Sequence, residues 1–255
     1  MKVCVLASGS QANSIWVEHG ATACVVDNGL SLKQFKLRVH EAKLNLKLLK
    51  AIFVTHDHSD HINGVGDLAR HLGLKVYSGQ VSREDFSCEL ERLDHSFITH
   101  QDTVTHGPLL IQAHKSSHDT LDPLVYTIRA ENKSLGIATD LGCASEELLE
   151  SFRNLDTLIL EFNHDGEMLM YGTYPLFLKR RIHGDRGHLS NYQAAGILAK
   201  INHPKLKTVV LAHLSQHNNT PELAHNAALG AIKESDGNPH IFVASQDEPS
   251  PVFVI

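Results

Sequence analysis

The stretch Thr55-His56-Asp57-His58-Ser59-Asp60-His61 places three histidines and two aspartates within six residues. It ends an apolar run, Ala51–Thr55, whose β-branched and aromatic residues predict a short buried strand. In an extended chain His56 and His58 share one face, and Asp60 and His61 follow as the chain turns. Imidazole and carboxylate groups without a thiolate favour zinc, manganese or iron. The stretch therefore predicts a metal site at the end of a strand.

A different interpretation of the same stretch is the capped start of a solvated helix. Ser59 and Asp60 are both good capping residues, and a helix is predicted to begin near His61 and reach about Leu72. A helix cap does not require three histidines at this spacing, so the metal site is the favoured interpretation.

The composition is that of an ordinary globular protein. The chain has 255 residues, of which 42% are hydrophobic and 20% charged, and this excludes a disordered tail protein and a collagen-like fibre. A net charge of −6 argues against coating nucleic acid through bulk charge, although bound metals and a local basic patch still permit a nuclease. The 19 histidines are an excess, and only their clusters count as evidence of chemistry.

The sequence shows no sign of a membrane or secretory protein. No apolar run approaches the roughly 20 residues that cross a bilayer, and Met1–Ala7 favours a first strand over a signal peptide. The four cysteines are far apart and predict neither a disulfide framework nor a thiolate zinc site. We therefore expect a cytoplasmic protein with no membrane partner, and the sequence makes no prediction of its oligomeric state.

Apolar β-rich runs alternate with helical patterns along the whole chain. This alternation predicts an α/β fold in which two sheets lie between helical layers, within one domain of residues 1–255. The predicted strands are Lys2–Ala7, Ser14–Glu18, Thr22–Asp27, Ala51–Thr55, Lys75–Ser78, Leu109–His114, Leu124–Ala130, Ser134–Thr139, Thr157–Glu161, Thr208–Leu211, His240–Ala244 and Pro251–Val254. Further helices are predicted to begin near Ser31, Ser145, Ser190 and Thr220, and Asp236–Pro239 is predicted to be a loop.

The spacing His56-x-His58-x-Asp60-His61 resembles the H-x-H-x-D-H signature of the metallo-β-lactamase superfamily. The resemblance implies a four-layer αββα sandwich with a two-metal site at one edge. It also implies three further ligands downstream, and their matches are His118, Asp140 and His213. By this resemblance one metal is held by His56, His58 and His118, the second by Asp60, His61 and His213, with Asp140 bridging them and Asp27 supporting the ligands from behind.

Two of these downstream matches have competitors. His114 competes with His118, but its alternation places it within a strand. His217 competes with His213, but the run Val209–His213 puts His213 at a strand end and His217 in the following loop. Asp140 ends an apolar strand where the family has its aspartate, although a lone aspartate there is more often a cap or turn residue.

Four other segments are similar to the YycJ/WalJ branch of the superfamily, and several of them also resemble the tRNase Z nucleases. Members of the YycJ/WalJ branch are DNA exonucleases that act from the 5′ end, so the resemblance implies a metal-dependent phosphodiesterase. Gln11-Ala12 departs from the Ser-Gly pair that is common in the branch, whereas the core ligands show no departure. The segments are Leu6-Ala7-Ser8-Gly9-Ser10-x-x-Asn13-Ser14, Leu160-Glu161-x-Asn163-His164-Asp165, Gly187-His188-Leu189-Ser190-Asn191 and His213-Leu214-Ser215-x-x-Asn218-Asn219-Thr220.

The resemblance also implies a mechanism. Two divalent ions, zinc or manganese with iron as a further candidate, would share a bridging hydroxide as the nucleophile, and Asp60 would orient it or take its proton. We expect His164, just after a predicted strand, and His188, just before a predicted helix, to stabilise the charge that develops on a phosphate.

The densest basic run of this acidic chain lies beside His188. It is interpreted either as a patch that follows the backbone of nucleic acid, with DNA favoured over RNA, or as a solvated helix face. Trp16, Met168–Tyr171 and Tyr174 could stack on bases, but core packing is the favoured interpretation. The members of the run are Lys179, Arg180, Arg181, His183 and Arg186.

Two other functions remain open. A hydrolase of the same fold could act on a small thioester, lactone or lactam, and a metal-binding regulatory protein would have no turnover. A flavin-linked di-iron redox partner is disfavoured, because such sites usually place a glutamate where His58 stands.

Overall fold

A computed structural model describes residues 1–233 and 237–255 of the chain. The chain forms two compact units. The first contains Met1–Lys115, Thr120–Asn132 and Ser245–Ile255, and the second contains Ser116–Asp119 and Lys133–Ala244. The single domain of residues 1–255 stays a prediction, and Asp236 of the predicted loop lies outside the described residues.

The strands and helices alternate along the chain, as the sequence predicts. The strands are β1 Lys2–Ala7, β2 Ser14–His19, β3 Thr22–Val26, β4 Leu49–Val54, β5 Lys75–Ser78, β6 His95–Phe97, β7 Thr103–His106, β8 Leu109–Lys115, β9 Leu124–Ala130, β10 Lys133–Ala138, β11 Thr157–Glu161, β12 Thr208–Ala212, β13 His240–Val243 and β14 Phe253–Val254. The helices are α1 Leu32–Glu41, α2 Ser59–Ile62, α3 Val65–Leu72, α4 Glu84–Leu90, α5 Glu146–Ser151, α6 Gly166–Tyr171, α7 Leu176–His183, α8 Asn191–Ile201 and α9 Pro221–Ile232, with a 3₁₀ turn at Leu46–Leu48.

The first unit is built on a mixed sheet with the strand order β14-β1-β2-β3-β4-β5-β6. Strands β3 to β6 run parallel, whereas β14, β1 and β2 pair antiparallel with their neighbours. Leu6, Trp16, Phe35, Ile52 and Leu68 are buried in its core. Because β3 and β4 are parallel neighbours, the residues that follow them emerge at the same edge of the sheet. The same unit also contains the antiparallel strands β7, β8 and β9.

The second unit is built on four parallel strands in the order β10-β11-β12-β13. Every residue of β11 is buried, which explains its continuous apolar run before Glu161. Helices α8 and α9 pack against each other, and α8 begins with the capping box of Ser190 and Gln193 that the sequence predicts. Parallel strands bring the residues after β10, β11 and β12 to one edge.

The predicted strands are confirmed within one or two residues, and the differences concern short elements. The helix predicted from His61 to Leu72 is divided into α2 and α3 at Gly64, where a Cβ atom would lie 1.8 Å from the Leu30 carbonyl oxygen. The short elements α4, α6, α7, β6 and β7 were not predicted from the sequence. Each has at most eight residues, too few for a hydrophobic period to stand out.

The helices of the described residues are all too short or too polar to cross a bilayer.

Candidate metal centre

Three histidine rings of the signature gather in the loop that links β4 to α3 in the first unit. The ring centroid of His56 lies 4.6 Å from that of His58 and 4.1 Å from that of His61. His56 and His61 are buried, and His58 precedes the single turn of α2. The end of a strand and one helical turn thus bring three imidazole rings close together.

The carboxylate of Asp27 orients His61. Nδ1 of His61 lies 2.8 Å from Asp27 Oδ2, and the Thr55 backbone N–H donates to Asp27 Oδ1. A histidine that donates Nδ1–H to a carboxylate keeps an electron pair on Nε2 for a metal. That Nε2 lies 3.3 Å from Asp60 Oδ2. The amide of Asn13 donates to the same Asp60 oxygen.

The two aspartates of the signature stretch have different surroundings. Asp57 accepts hydrogen bonds from the backbone N–H groups of Ser82 and Arg83 and from the Ser82 hydroxyl. Asp57 therefore fixes the segment after β5, whereas Asp60 lies beside His61.

Four side chains form a compact cluster in the second unit, at the carboxyl edge of its parallel strands. Each of Asp140, Glu161, His188 and His213 offers one ligand atom within 4.8 Å of those of the other three. Nδ1 of His213 lies 3.7 Å from Asp140 Oδ1 and 3.2 Å from Glu161 Oε1. The aligned ends of β10, β11 and β12 therefore bring Asp140, Glu161 and His213 together, and the loop between α7 and α8 adds His188.

His118 is held in the second unit by hydrogen bonds of both its ring and its own backbone carbonyl group. Its Nδ1 donates to the carbonyl oxygen of Gly187 at 2.9 Å, and its Nε2 lies 3.6 Å from Asp140 Oδ1. Burial lowers the pKa of His118, although the charge of Asp140 opposes this shift. Arg186 donates two hydrogen bonds to the carbonyl oxygen of His118, so it holds the loop that carries this histidine.

Glu161 is the residue of this cluster to which the sequence analysis gave no role. Burial opposes its ionisation, but His188 and His213 outweigh that effect and lower the pKa of Glu161 to about 2. Its Oε1 lies 2.7 Å from His188 Nδ1, and its Oε2 accepts the backbone N–H groups of Leu141 and Leu189. The feature of the sequence that could have identified Glu161 is an acidic residue at the end of an otherwise largely apolar strand.

The two histidines expected to face a phosphate have pKa values that are shifted in opposite directions. Burial lowers the pKa of His164 to about 4, and its fully buried ring nitrogens have no hydrogen-bond partner in the described part of the chain. At neutral pH His164 is therefore uncharged and does not supply positive charge. Burial also opposes protonation of His188, but the charge of Glu161 raises the pKa of His188.

The competing histidines lie elsewhere in their units. His114 is on β8, with Nε2 3.0 Å from the hydroxyl oxygen of Thr127. The ring of His217 packs near Tyr174, with centroids 5.7 Å apart. Neither occurs in a metal-capable group of the described residues, and the choice of His118 and His213 stays a prediction.

Three predicted site residues have a left-handed backbone. The φ angles are 60° at Asp27, 56° at Asp140 and 55° at His213. Such a conformation costs a non-glycine residue on the order of 1 kcal/mol. Strain of this kind persists where the surrounding structure holds it and is concentrated at functional sites. The three residues follow β3, β10 and β12.

The predicted basic run lies mainly on α7. Nε of Arg181 lies 2.5 Å from Asp119 Oδ2, and Nζ of Lys179 donates to the Met170 carbonyl oxygen. Core packing is confirmed for the buried Trp16 but is wrong for Met170 and Tyr171, whose side chains are exposed because α6 is a short surface helix.

The side chains in each unit suit a divalent metal. They are imidazoles and carboxylates, and the metal-capable groups in the described ranges contain no cysteine. His61 and His118 are each oriented through Nδ1, as metal-binding histidines commonly are.

The comparisons with known proteins agree with this chemistry. Residues 22–214 match the β-lactamase superfamily domain. The chain is 36% identical to exodeoxyribonuclease YycJ of Bacillus anthracis over 233 residues, which cover 90% of this chain and 88% of the relative. It is also 36% identical to exodeoxyribonuclease WalJ of Streptococcus pneumoniae serotype 2 over 240 residues, which cover 92% and 89%.

A solved structure shows the same fold. The metallo-β-lactamase fold protein YhfI of Bacillus subtilis matches with a TM-score of 0.73 and 16% identity over 98% of both chains. This likeness confirms the predicted α/β class with mixed sheets and helices. Since the domain match and the relatives cover most of the sequence, the chain belongs to the metallo-β-lactamase superfamily, in the branch of YycJ and WalJ, and is a hydrolase that depends on divalent metal ions.

Proposed function

We propose that this protein is a DNA exonuclease that cleaves phosphodiester bonds from the 5′ end with two divalent metal ions. The observation that carries the proposal is the 36% identity, over about nine tenths of the chain, to relatives named exodeoxyribonucleases. It is supported by the paired imidazole and carboxylate groups of each unit, which suit metal-assisted hydrolysis.

The proposed ligands are the seven residues that the signature assigns. His56, His58 and His118 would hold one metal, Asp60, His61 and His213 would hold the other, and Asp140 would be the ligand that serves both. Zinc and manganese suit these ligands, and iron is a further candidate. Metals of this kind lower the pKa of a bound water and stabilise negative charge on phosphate oxygens.

The protein's own groups supply the proton transfers. Asp60, which Asn13 holds by a hydrogen bond, takes a proton from the attacking water or orients it. His188, fixed through Nδ1 by Glu161, donates a proton from Nε2 to the leaving oxygen. His164 contributes as a neutral ring, by hydrogen bonding, since burial keeps it uncharged. Asp27 keeps His61 in its ligand orientation.

The test is cleavage of DNA and RNA, single- and double-stranded, labelled at one end. Wild type and His58→Ala are compared with zinc, manganese and magnesium. We expect wild type to release products stepwise from the 5′ end of DNA and His58→Ala to lose this activity. Preferred cleavage of RNA, or release from the 3′ end, would contradict the proposed substrate or polarity.

The same assay separates the other two functions. A small-molecule hydrolase would cleave a thioester or lactone and leave DNA intact. A regulatory protein, loaded with metal, would cleave neither DNA nor a small chromogenic phosphodiester.

The cytoplasmic location of the protein stays a prediction.

A further inference from the structure

Helices α6 and α7 line an open groove on the second unit. Its volume is about 540 Å³. The ammonium group of Lys179 on α7 donates to the Met170 carbonyl oxygen near the end of α6 at 2.7 Å, which ties the two helices together. The groove is therefore a defined surface feature.

The apolar side chains around this groove are unusually exposed. Tyr171 is 82% exposed and Met170 66%, and Leu176 on the facing helix is 62% exposed. Phe177, the next residue of α7, does not line the groove itself but is 75% exposed on the same helix. A contiguous exposed patch of large apolar groups usually marks an interaction surface.

The charges around the groove are mainly positive, although the whole chain is acidic. Lys179, Arg180 and His183 line it, and Glu167 is the acidic residue of the lining. Arg180 is exposed and has no ion-pair partner among residues 1–233 and 237–255, whereas Arg181 is paired with Asp119. Arg180 thus leaves a guanidinium group available for an anion.

We propose that this α6–α7 groove binds a single-stranded segment of nucleic acid, with one base stacked on Tyr171 in the groove, another on the exposed ring of Phe177 on α7, and a phosphate held by Arg180. The proposal rests on the proposed function and adds the strandedness of the bound substrate and the place where it lies. Stacking on aromatic rings tolerates any base, as an exonuclease requires. Cations beside the rings complement the phosphates of the same strand.

A duplex fits the groove less well than a single strand. In a duplex the faces of the bases are covered by their neighbours, so exposed aromatic rings would meet only sugar and phosphate. A second copy of this chain would bury the apolar groups but would bring another set of cations against Arg180 and its neighbours. Charge and shape together therefore favour a single strand.

The experiment measures binding without cleavage. A labelled, nuclease-resistant phosphorothioate oligothymidylate of about 20 nucleotides is titrated with metal-loaded protein, and fluorescence anisotropy gives Kd at several salt concentrations. The variants are the double variant Tyr171→Ala/Phe177→Ala and the single variant Arg180→Ala. Phe97→Ala and Lys200→Ala are matched controls, because they remove an exposed ring and an exposed charge outside the groove.

The two kinds of contact give different signatures. The double variant should raise Kd about ten-fold or more with an unchanged salt dependence. Arg180→Ala should raise Kd and reduce the slope of log Kd against log salt by about one. Tyr171→Phe should bind the oligonucleotide with a Kd close to that of wild type, since it keeps the aromatic ring. The melting temperature of each variant shows whether it folds.

Several outcomes would overturn the proposal. They are an unchanged Kd in folded double and Arg180 variants, equal losses in the matched controls, tighter binding of a duplex than of a single strand, or a wild-type dimer that the double variant dissociates. Failure of the proposed function is separate, because then wild type cleaves no end-labelled DNA whatever the binding result.

Discussion

At the residue scale, the site depends on a few side chains held where strands end. Asp27, Asp140 and His213 adopt left-handed backbones after β3, β10 and β12, and Glu161 ends β11. A left-handed residue turns the chain sharply, so its side chain can stay at the sheet edge while the backbone leaves. The local cost is acceptable because neighbouring groups fix each residue, as Thr55 and His61 fix Asp27.

Replacement of Asp140 tests its proposed bridging role. Asp140→Ala should reduce bound metal at both positions and abolish turnover, because in the proposed site this one carboxylate would serve both ions. Metal content by mass spectrometry and DNA cleavage are the measurements. Asp67→Ala is the control, since this exposed carboxylate pairs with Arg70 at the surface. Two tightly bound metals with full activity in Asp140→Ala would refute the bridge.

Replacement of His188 separates proton donation from metal binding. His188→Ala should keep its metals and lower kcat on phosphodiesters by a factor of about 10² or more, the range of general acid catalysis. His40→Ala removes an exposed histidine and should leave kcat unchanged. Loss of metal from His188→Ala would instead identify His188 as a metal ligand. This outcome is the natural alternative, because His188 lies beside Asp140 and His213.

At the element scale, short connections decide where the site residues lie. The loop with the three histidines is held by two segments, one before β2 and one after β3. Asn13, before β2, donates its backbone N–H to the Asp60 carbonyl oxygen, and Gly29, after β3, donates to the carbonyl oxygen of Asn13. At the opposite, amino end of the parallel strands, Asp156 joins the starts of β10 and β11 through Ser134.

A side chain at Gly29 should displace the signature loop. A Cβ atom there would lie 1.9 Å from the Asp60 carbonyl oxygen, a contact that requires backbone movement. Gly29→Ala should cost about 1–3 kcal/mol in the free energy of unfolding and weaken metal binding. Gly230→Ala, within α9 and with open space around its Cβ, should instead stabilise the protein by about 0.5–1 kcal/mol. Urea unfolding and metal titration check both, and unchanged metal affinity in Gly29→Ala would contradict the displacement.

The carboxylate of Asp156 should make the stability of the second unit depend on pH. Burial opposes its ionisation, but hydrogen bonds from Ser134 and Lys205 outweigh this and lower the pKa of Asp156. The stabilisation is therefore complete above the ordinary pKa of 3.8 and is lost as the pH falls through the lower folded value. Asp156→Asn should cost about 1–2 kcal/mol at pH 7 and less at pH 3.

Urea unfolding of wild type and Asp156→Asn at several pH values is the measurement. Asp67→Asn serves as the control, because an exposed ion pair contributes at most about 1 kcal/mol. A difference between wild type and Asp156→Asn that grows on acidification would contradict the stated sign.

At the scale of the whole molecule, the chain forms two compact units, and each contributes imidazole and carboxylate side chains that could hold a metal. The chain crosses between the units more than once, since the first contains residues from both ends of the sequence and from its middle. The prediction of a single domain therefore means that the two units unfold together, and an unfolding experiment measures this cooperativity directly.

Removal of metal tests the whole molecule. A chelator should lower Tm, because ions that bind only the folded chain stabilise it by about 4 kcal/mol when present at 1,000 times Kd. One domain predicts a single calorimetric transition with and without metal. Two separate transitions in the metal-loaded protein would contradict the single domain, and an unchanged Tm after verified metal loss would show that the ions do not stabilise the fold.

The sequence by itself determined the order of most strands and the chemistry of the signature loop. Alternating apolar runs and capping residues act locally, so Lys2–Ala7, Thr157–Glu161 and the capping box at Ser190 could be predicted without tertiary contacts. Only the tertiary structure decided that Glu161 joins His188 and His213, that His164 is buried and uncharged, and that Tyr171 is exposed. These properties depend on which strands pair in parallel and on what covers each side chain, and residues distant in sequence supply both.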